Sequence, residues 1–328
     1  MKISAIITCY NVEEYIATAI QSVIDCNFDD CEIIIVDDCS TDKTREIIDT
    51  INSNNLDKNI VSINFPKNTP GGVAAAANAG MDVATGEITL FVDGDDWVVP
   101  GPTRRAVEIL RRGNNDFVVC NCGEYWNHNG VYTNYPEDSY WTSLGDDLPL
   151  EDKRDILIKM APFPWRKIYS TDFLNRNKIR FPVGDFFFED NPFHWETTVK
   201  SESFTFYNEI THIHRMNRPG QTVGQQGIKF IKIFDHARII KDKLDQDGLT
   251  DRHLHSYVGW LLKHIIWCGN YVPPGFLNEV YEKSKIFLKD LPPDIFWHGV
   301  ATSGFSATDV RKVAAIYLDQ RFEFLREF

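Results

Sequence analysis

Ile88-Thr-Leu-Phe-Val-Asp-Gly-Asp-Asp-Trp97 is a short apolar run that ends abruptly in three carboxylates. Side chains alternate faces along a strand, so Asp93 and Asp95 share a face if the extended geometry persists through the turn. Paired oxygen ligands of this kind suit a hard divalent cation that keeps positions open for phosphate oxygens. A phosphate-bearing ligand is therefore the first expectation. The bland alternative is a hydrophilic turn after a strand, and only the rest of the chain can decide between them.

Outward from that stretch, β-rich runs at residues 3–8, 33–36, 60–65, 88–92 and 117–122 alternate with helical patterns at 13–25, 43–51, 73–83 and 102–112. Near-continuous apolar strands separated by helices imply an α/β fold, a doubly wound, mostly parallel sheet covered on both faces. Ligands of such sheets bind beyond the carboxyl ends of the strands. Thr8-Cys-Tyr10, Asp37-Asp38 and the Asp93–Asp96 turn all fall there. Asn11, with Glu14 three residues on, reads as a capping box opening the first helix, and Gly71-Gly72 breaks the third connection. Residues 123–147 give no clear pattern. Helical spacing resumes near 155–160 and 171–177, two β-like runs lie at 203–207 and 210–215, and a loop follows at Arg218-Pro-Gly-Gln-Thr222. Beyond about Gly227 the pattern is helical, at 230–244, 254–268, 276–288 and 307–318. The expected division is residues 1–226, the α/β domain, and 227–328, a helical C-terminal region.

The 328 residues suffice for a large core, and 43% hydrophobic content excludes a disordered chain. A formal net charge of -13 disfavours nucleic acid and anionic lipid surfaces as partners. Seven scattered cysteines lack the paired spacing of a zinc site and read as reduced, mostly buried thiols. The first residues are too short an apolar run for a signal peptide. Residues 254–271 contain His255, Lys263 and His264, which argues against a membrane span. A cytoplasmic protein without a transmembrane segment is the simplest expectation.

Taken in order, Ile7-Thr-Cys-Tyr-Asn11, Ile34-Ile-Val-Asp-Asp-Cys-Ser-Thr-Asp42, Gly72-Val-Ala-Ala-Ala-Ala-Asn-Ala-Gly80, Gly86-Glu87 and Phe91-Val-Asp-Gly-Asp-Asp-Trp97 resemble family 2 glycosyltransferases of the GT-A fold. Pro164-Trp-Arg-Lys-Ile-Tyr169, Phe187-Phe-Glu-Asp-Asn-Pro-Phe193 and His214-Arg-Met-Asn-Arg-Pro-Gly220 look like the later motifs of that family. The resemblance covers about two thirds of the chain. It implies transfer of a sugar from a nucleotide-diphosphate sugar, a UDP-sugar foremost, to a hydroxyl of a glycan, lipid-linked or other acceptor, with inversion, as in polysaccharide biosynthesis.

Position by position, the resemblance places Thr8 and Tyr10 beside the nucleobase and Asp38, with Asp37, on base or ribose. It places Asp95, with Asp93, on Mn2+ or Mg2+, and Asp96 near the donor sugar. Asn78, His214 and Arg215 fall near the donor diphosphate, and Trp165 and Lys167 near a sugar. Asp190 matches the family's general base, although its neighbour Glu189 leaves that assignment open between two carboxylates. Many relatives carry an arginine where this chain has Ala77, and Lys67 is a candidate substitute. Two competing readings are a sugar-1-phosphate nucleotidyltransferase, whose glycine-rich basic loop is missing after the first strand, and a non-catalytic nucleotide-sugar-binding scaffold. The C-terminal helices are a candidate homodimer surface.

Overall fold

The structure is a computed structural model that describes residues 1–70, 72–145, 148–184, 189–219 and 227–328. Its strands are β1 (Ile3–Cys9), β2 (Cys31–Asp37), β3 (Asn59–Asn64), β4 (Ile88–Asp93), β5 (Trp97–Val98), β6 (Phe117–Trp126), β7 (Val131–Asn134), β8 (Lys167–Ser170) and β9 (Phe204–Met216). The helices that cover the sheet are α1 (Ile16–Asp25), α2 (Thr44–Asn54), α3 (Val73–Val83), α4 (Pro100–Arg112), α5 (Asp138–Thr142), α6 (Leu150–Lys159), α7 (Thr171–Arg176) and α8 (Asp190–Lys200). The remainder of the chain is helical: α9 (Ile233–Gln246), α10 (Thr250–Tyr271), α11 (Leu277–Leu288), α12 (Pro293–Thr302), α13 (Ala307–Tyr317) and α14 (Arg321–Glu327).

The sheet order is β3-β2-β1-β4-β8-β6-β9-β5, with β7 added to β6. β1, β2, β3 and β4 run parallel, whereas β8 enters antiparallel between β4 and β6. Alternation along β1 sends Ile3, Ala5 and Ile7 to the core under α1 and α4, and Ile6 to the opposite core under α3. Each fully buried branched side chain contributes roughly 1.5–3 kcal/mol. The alanines of α3 let that helix lie close on the sheet: a Cβ at Gly80 would sit 2.4 Å from Ile6 Cγ2. At the lower end, buried Glu32 accepts hydrogen bonds from Lys2 Nζ (2.6 Å), Ser4 Oγ (2.5 Å) and the Thr85 amide (2.6 Å), locking β1, β2 and the entry to β4 together.

Three expectations change. The capping box does not form: α1 begins at Ile16, and Asn11, at φ 50°, uses its Oδ1 to accept from the Thr41 amide at 2.7 Å. The side chain finds an unpaired amide across the cleft between two loops, so it cannot serve its own helix. The runs at 203–207 and 210–215 are one strand, kept continuous by a register shift against β6 near Cys120 to Cys122. Helices α5, α12 and α14 are additional to the helical pattern of the sequence. The C-terminal helices share one core with Trp195 and Val199 of α8 and Ile158 of α6. The expected boundary at 226/227 and the Gly71 break adjoin or lie outside the described residues, as do Gly220-Gln-Thr222, Phe187-Phe188 and Asp146-Asp147. Among the described residues, no helix is long and apolar enough to cross a membrane.

Candidate active site

Three strand ends and one helix start meet above the sheet. Thr8 of β1 is the register partner of Asp93 of β4, and its hydroxyl lies 3.4 Å from Asp93 Oδ1. The turn that follows is tight: the Gly94 amide donates to the Thr8 carbonyl at 2.8 Å, and a Cβ at Gly94 would lie 2.8 Å from Cys9 Cβ. Only glycine fits between two carboxylates there. β5 then pairs with β9, Trp97 opposite Ile213, which brings His214 and Arg215 against Asp95 and Asp96.

Asp96 is buried and held twice, by the Arg215 amide at 2.7 Å and by His214 Nδ1 at 2.8 Å. Burial alone would lower the His214 pKa, but Asp96, Asp95 and Asp93 outweigh it and carry it up to about 9, so the ring is imidazolium at neutral pH. Its ring stacks on Trp165 at 5.7 Å. Arg215 Nε donates to the Asp95 carbonyl at 2.9 Å, and its guanidinium sits 4.5 Å over Tyr15 and 4.9 Å over Trp97. The Asp95 carboxylate forms an ion pair with Arg218. Asp93 is different. Burial first, then repulsion from Asp96, Asp95 and Asp190, push its carboxyl well above the usual range.

Glu189 and Asp190 open α8 on the opposite wall, and their environments separate them. Glu189 accepts from the Val73 amide at 3.2 Å, at the start of α3, so it satisfies an orphan donor of that helix. Burial, against which its own and the Val73 amide act, leaves it up at about 7. Asp190 accepts no hydrogen bond among the described residues. Burial, then the Glu189 charge, push it up to about 8, with Lys167 and His214 pulling the other way. Lys167, fully buried, is pushed down to about 7 by burial and by Arg166; its Nζ donates to His194 Nδ1 at 2.9 Å and to the Phe163 carbonyl at 3.2 Å. His194 in turn donates from Nε2 to the Leu157 carbonyl at 3.0 Å.

Several expected ligands are occupied otherwise. Asp38 accepts from the Thr69 amide (2.9 Å), Thr69 Oγ1 (2.9 Å) and Asn68 Nδ2 (3.0 Å), which ties β2 to the loop before α3. Asp37 is fully buried, bonded to Ser40 and ion-paired with Arg45 Nε at 2.5 Å. Both carboxylates thus build the turn after β2. Asn78 clamps the Phe181 backbone reciprocally, at 2.9 Å in both directions, instead of facing the carboxylates. The sequence signal for this was faint: a lone asparagine in an alanine-rich helix. Tyr10 is 44% exposed, its ring free to take a flat ligand, and Lys67 is exposed without a described ion pair. Arg45 and the Arg218 pairing with Asp95 escaped sequence reading, because neither contact is local in the chain.

Asp93 and Asp95 fit a hard cation by chemistry, since two crowded carboxylates lose their repulsion when a dication arrives. Among the described residues, no group of three or more His, Cys, Asp or Glu side chains is placed to hold a metal by itself. The arrangement therefore suits an open site completed by other oxygens, with the Arg218 ion pair as its competitor for Asp95.

With that geometry in view, residues 4–208 match the family described as Glycosyl transferase family 2. The chain is 24% identical over 255 residues to the poly(ribitol-phosphate) beta-N-acetylglucosaminyltransferase TarS of Staphylococcus aureus, covering 77% of this chain and 42% of that protein. It is 26% identical over 215 residues to the uncharacterized glycosyltransferase EpsJ of Bacillus subtilis, covering 66% of this chain and 61% of that one. The chain thus spans less than two thirds of either relative. The structure of S. aureus TarS 1-349 in complex with UDP-GlcNAc superposes with a TM-score of 0.79 at 20% identity, over 100% of this chain and 90% of that one. The fold is of the GT-A type, and the chain belongs to glycosyl transferase family 2.

Proposed function

We propose that the chain transfers a sugar from a nucleoside-diphosphate sugar, a UDP-sugar foremost, to an acceptor hydroxyl by one inverting displacement. Asp190 is the base. It is the observation that carries the reading: a carboxyl with no described hydrogen bond, poised at about 8 beside the carboxylate cluster, matches a group that must take a proton near neutrality. Glu189, engaged with α3, positions the helix start on which Asp190 sits. His214 and Arg218 bring positive charge to the side where a diphosphate departs, and Tyr10 offers a face for the base.

Asp95 and Asp93 would hold a divalent cation, Mn2+ or Mg2+, which when bound offsets charge on the leaving diphosphate. Support for a UDP-sugar comes from the UDP-GlcNAc bound by the TarS relative. Residues 1–226 carry donor and base, and 227–328 contribute to the acceptor side. The test is transfer and donor hydrolysis with a panel of nucleotide sugars, with and without manganese, alongside thermal shift. Release of nucleoside diphosphate from one donor supports the reading. No release from any, with no ligand-dependent shift in melting, removes it and favours a scaffold.

A further inference from the structure

Behind the wall that bears Asp190 lies a cavity of about 450 Å³ between the sheet domain and the C-terminal helices. The first turn of α8 is the partition: Asp190 belongs to the carboxylate site, while its neighbours Asn191 and His194 line the cavity. The opposite wall is α10 and α12, with His255 and His298 in edge contact at 4.4 Å. Tyr135, Tyr140 and Trp260 supply aromatic surface.

The charges in the cavity lean positive once their partners are traced, two lysines against one acid that has no cationic partner among the described residues. Of its two acids, Glu137 is ion-paired with Arg166 Nη1 at 2.5 Å, whereas Asp155, exposed one turn before Lys159 on α6, accepts from Ser256 Oγ at 2.5 Å and keeps its charge. Lys159 and Lys263 have no ion pair among the described residues. Burial, then the nearby Lys159 ammonium, pull Lys263 below the ordinary lysine value. In a chain of net charge -13, two lysines beside a single uncompensated carboxylate leave this cavity with a surplus of positive charge. An anion would relieve it, and aromatic rings beside cations suit a polyol or sugar that carries that anion.

We propose that this cavity binds an anionic segment of the acceptor, a phosphate or carboxylate borne on a polyol or sugar chain, through Lys159 and Lys263 and against Trp260. The inference rests on the transferase reading for the word acceptor, but its test needs no turnover. Calorimetry is run without donor, using a glycerol-phosphate oligomer, an oligogalacturonate and a neutral malto-oligosaccharide. At low salt at least one anionic oligomer binds the wild-type chain, more weakly as salt rises, and more tightly than the neutral one.

The Lys159→Ala/Lys263→Ala variant binds that oligomer about tenfold or more weakly, and Lys159→Arg/Lys263→Arg, which keeps both charges, restores binding. Whichever anion binds identifies its source. Asp190→Asn retains binding even though it is inactive in transfer, so a failed transferase assay leaves this result standing. Absence of binding by both anionic oligomers, equal binding by the neutral one, or unchanged affinity in the double alanine variant would overturn the proposal.

Discussion

Replacing Asp190 by Asn separates catalysis from stability, with opposite signs. An unfolded aspartate titrates near ~3.9, whereas burial and the Glu189 charge hold the folded Asp190 up at about 8. A carboxyl raised in this way favours the folded state while protonated, below its unfolded value, and loses that advantage as pH rises through the folded value. Its contribution therefore declines between about pH 4 and about pH 8. At pH 7 the gap corresponds to a ceiling on the order of 4 kcal/mol of native-state cost. Asn carries no charge and removes that cost, so the variant melts higher, by roughly 2 °C or more, and the gain grows with pH. Transfer meanwhile falls on the order of 10²-fold or more, because no group takes the acceptor proton. In the wild type, kcat/KM climbs toward pH 8, following the base of the free enzyme. The assays are differential scanning calorimetry across pH and initial-rate transfer on the same preparation. Near-normal turnover, or a melting temperature lowered at every pH, refutes the reasoning.

Asp95→Ala weakens donor binding when Mn2+ is present and leaves metal-free binding little changed; equal affinities with metal would count against the cation at Asp93 and Asp95. Asn78→Ala leaves the buried Phe181 amide and carbonyl without partners and lowers stability by about 2–4 kcal/mol in denaturant unfolding, with donor affinity near wild type. A collapse of donor affinity at unchanged stability would return Asn78 to the binding site. Glu32 is pushed up by burial, but Lys2, Ser4 and Thr85 outweigh that and bring it down to about 2. Its stabilisation is present above the unfolded value and vanishes as pH falls toward 2, so Glu32→Gln loses on the order of 3 kcal/mol at pH 7 and flattens the acid limb of the stability profile. An acid limb identical to wild type would dismiss that network.

The fold was legible because its strands are nearly continuous apolar runs and its helices are punctuated by Pro and Gly, both local signals. Residues 88–97 combined strand, turn and acids in ten positions, so the carboxylate cluster followed from chain order alone. The structural contacts of Asp37, Asp38 and Asn78 were not legible, for the opposite reason. Their partners Arg45, Thr69 and the Phe181 backbone lie 8, 31 and 103 residues away, and a motif shows a residue type at a place without showing what already holds it. Glu189 and Asp190 are identical as a sequence pair. Only the α3 amide, 116 residues upstream of Glu189, tells them apart.

The charge of the site implies a linkage that no single residue reveals. Five carboxyls, Asp93, Asp95, Asp96, Glu189 and Asp190, face His214, Arg215, Arg218 and a Lys167 drawn down to about 7. Asp96 and Asp95 are compensated by His214 and Arg218, so the carboxyls left without a cationic partner are Asp93 and those of the α8 start. A dication alone leaves Arg218 displaced from Asp95 without an anion, whereas a diphosphate alone meets the Asp93 carboxyl. Arriving together they give each displaced charge a partner: the cation answers Asp93 and Asp95, and the phosphates answer Arg218. On the proposed reading, metal and donor therefore tighten each other's binding by the same factor, as reciprocity requires. The Arg218→Ala variant, which frees Asp95, binds Mn2+ more tightly by itself yet shows a smaller factor between metal and donor. Unchanged coupling in that variant, measured by titrating each ligand at fixed levels of the other, would show that Arg218 does not mediate the exchange.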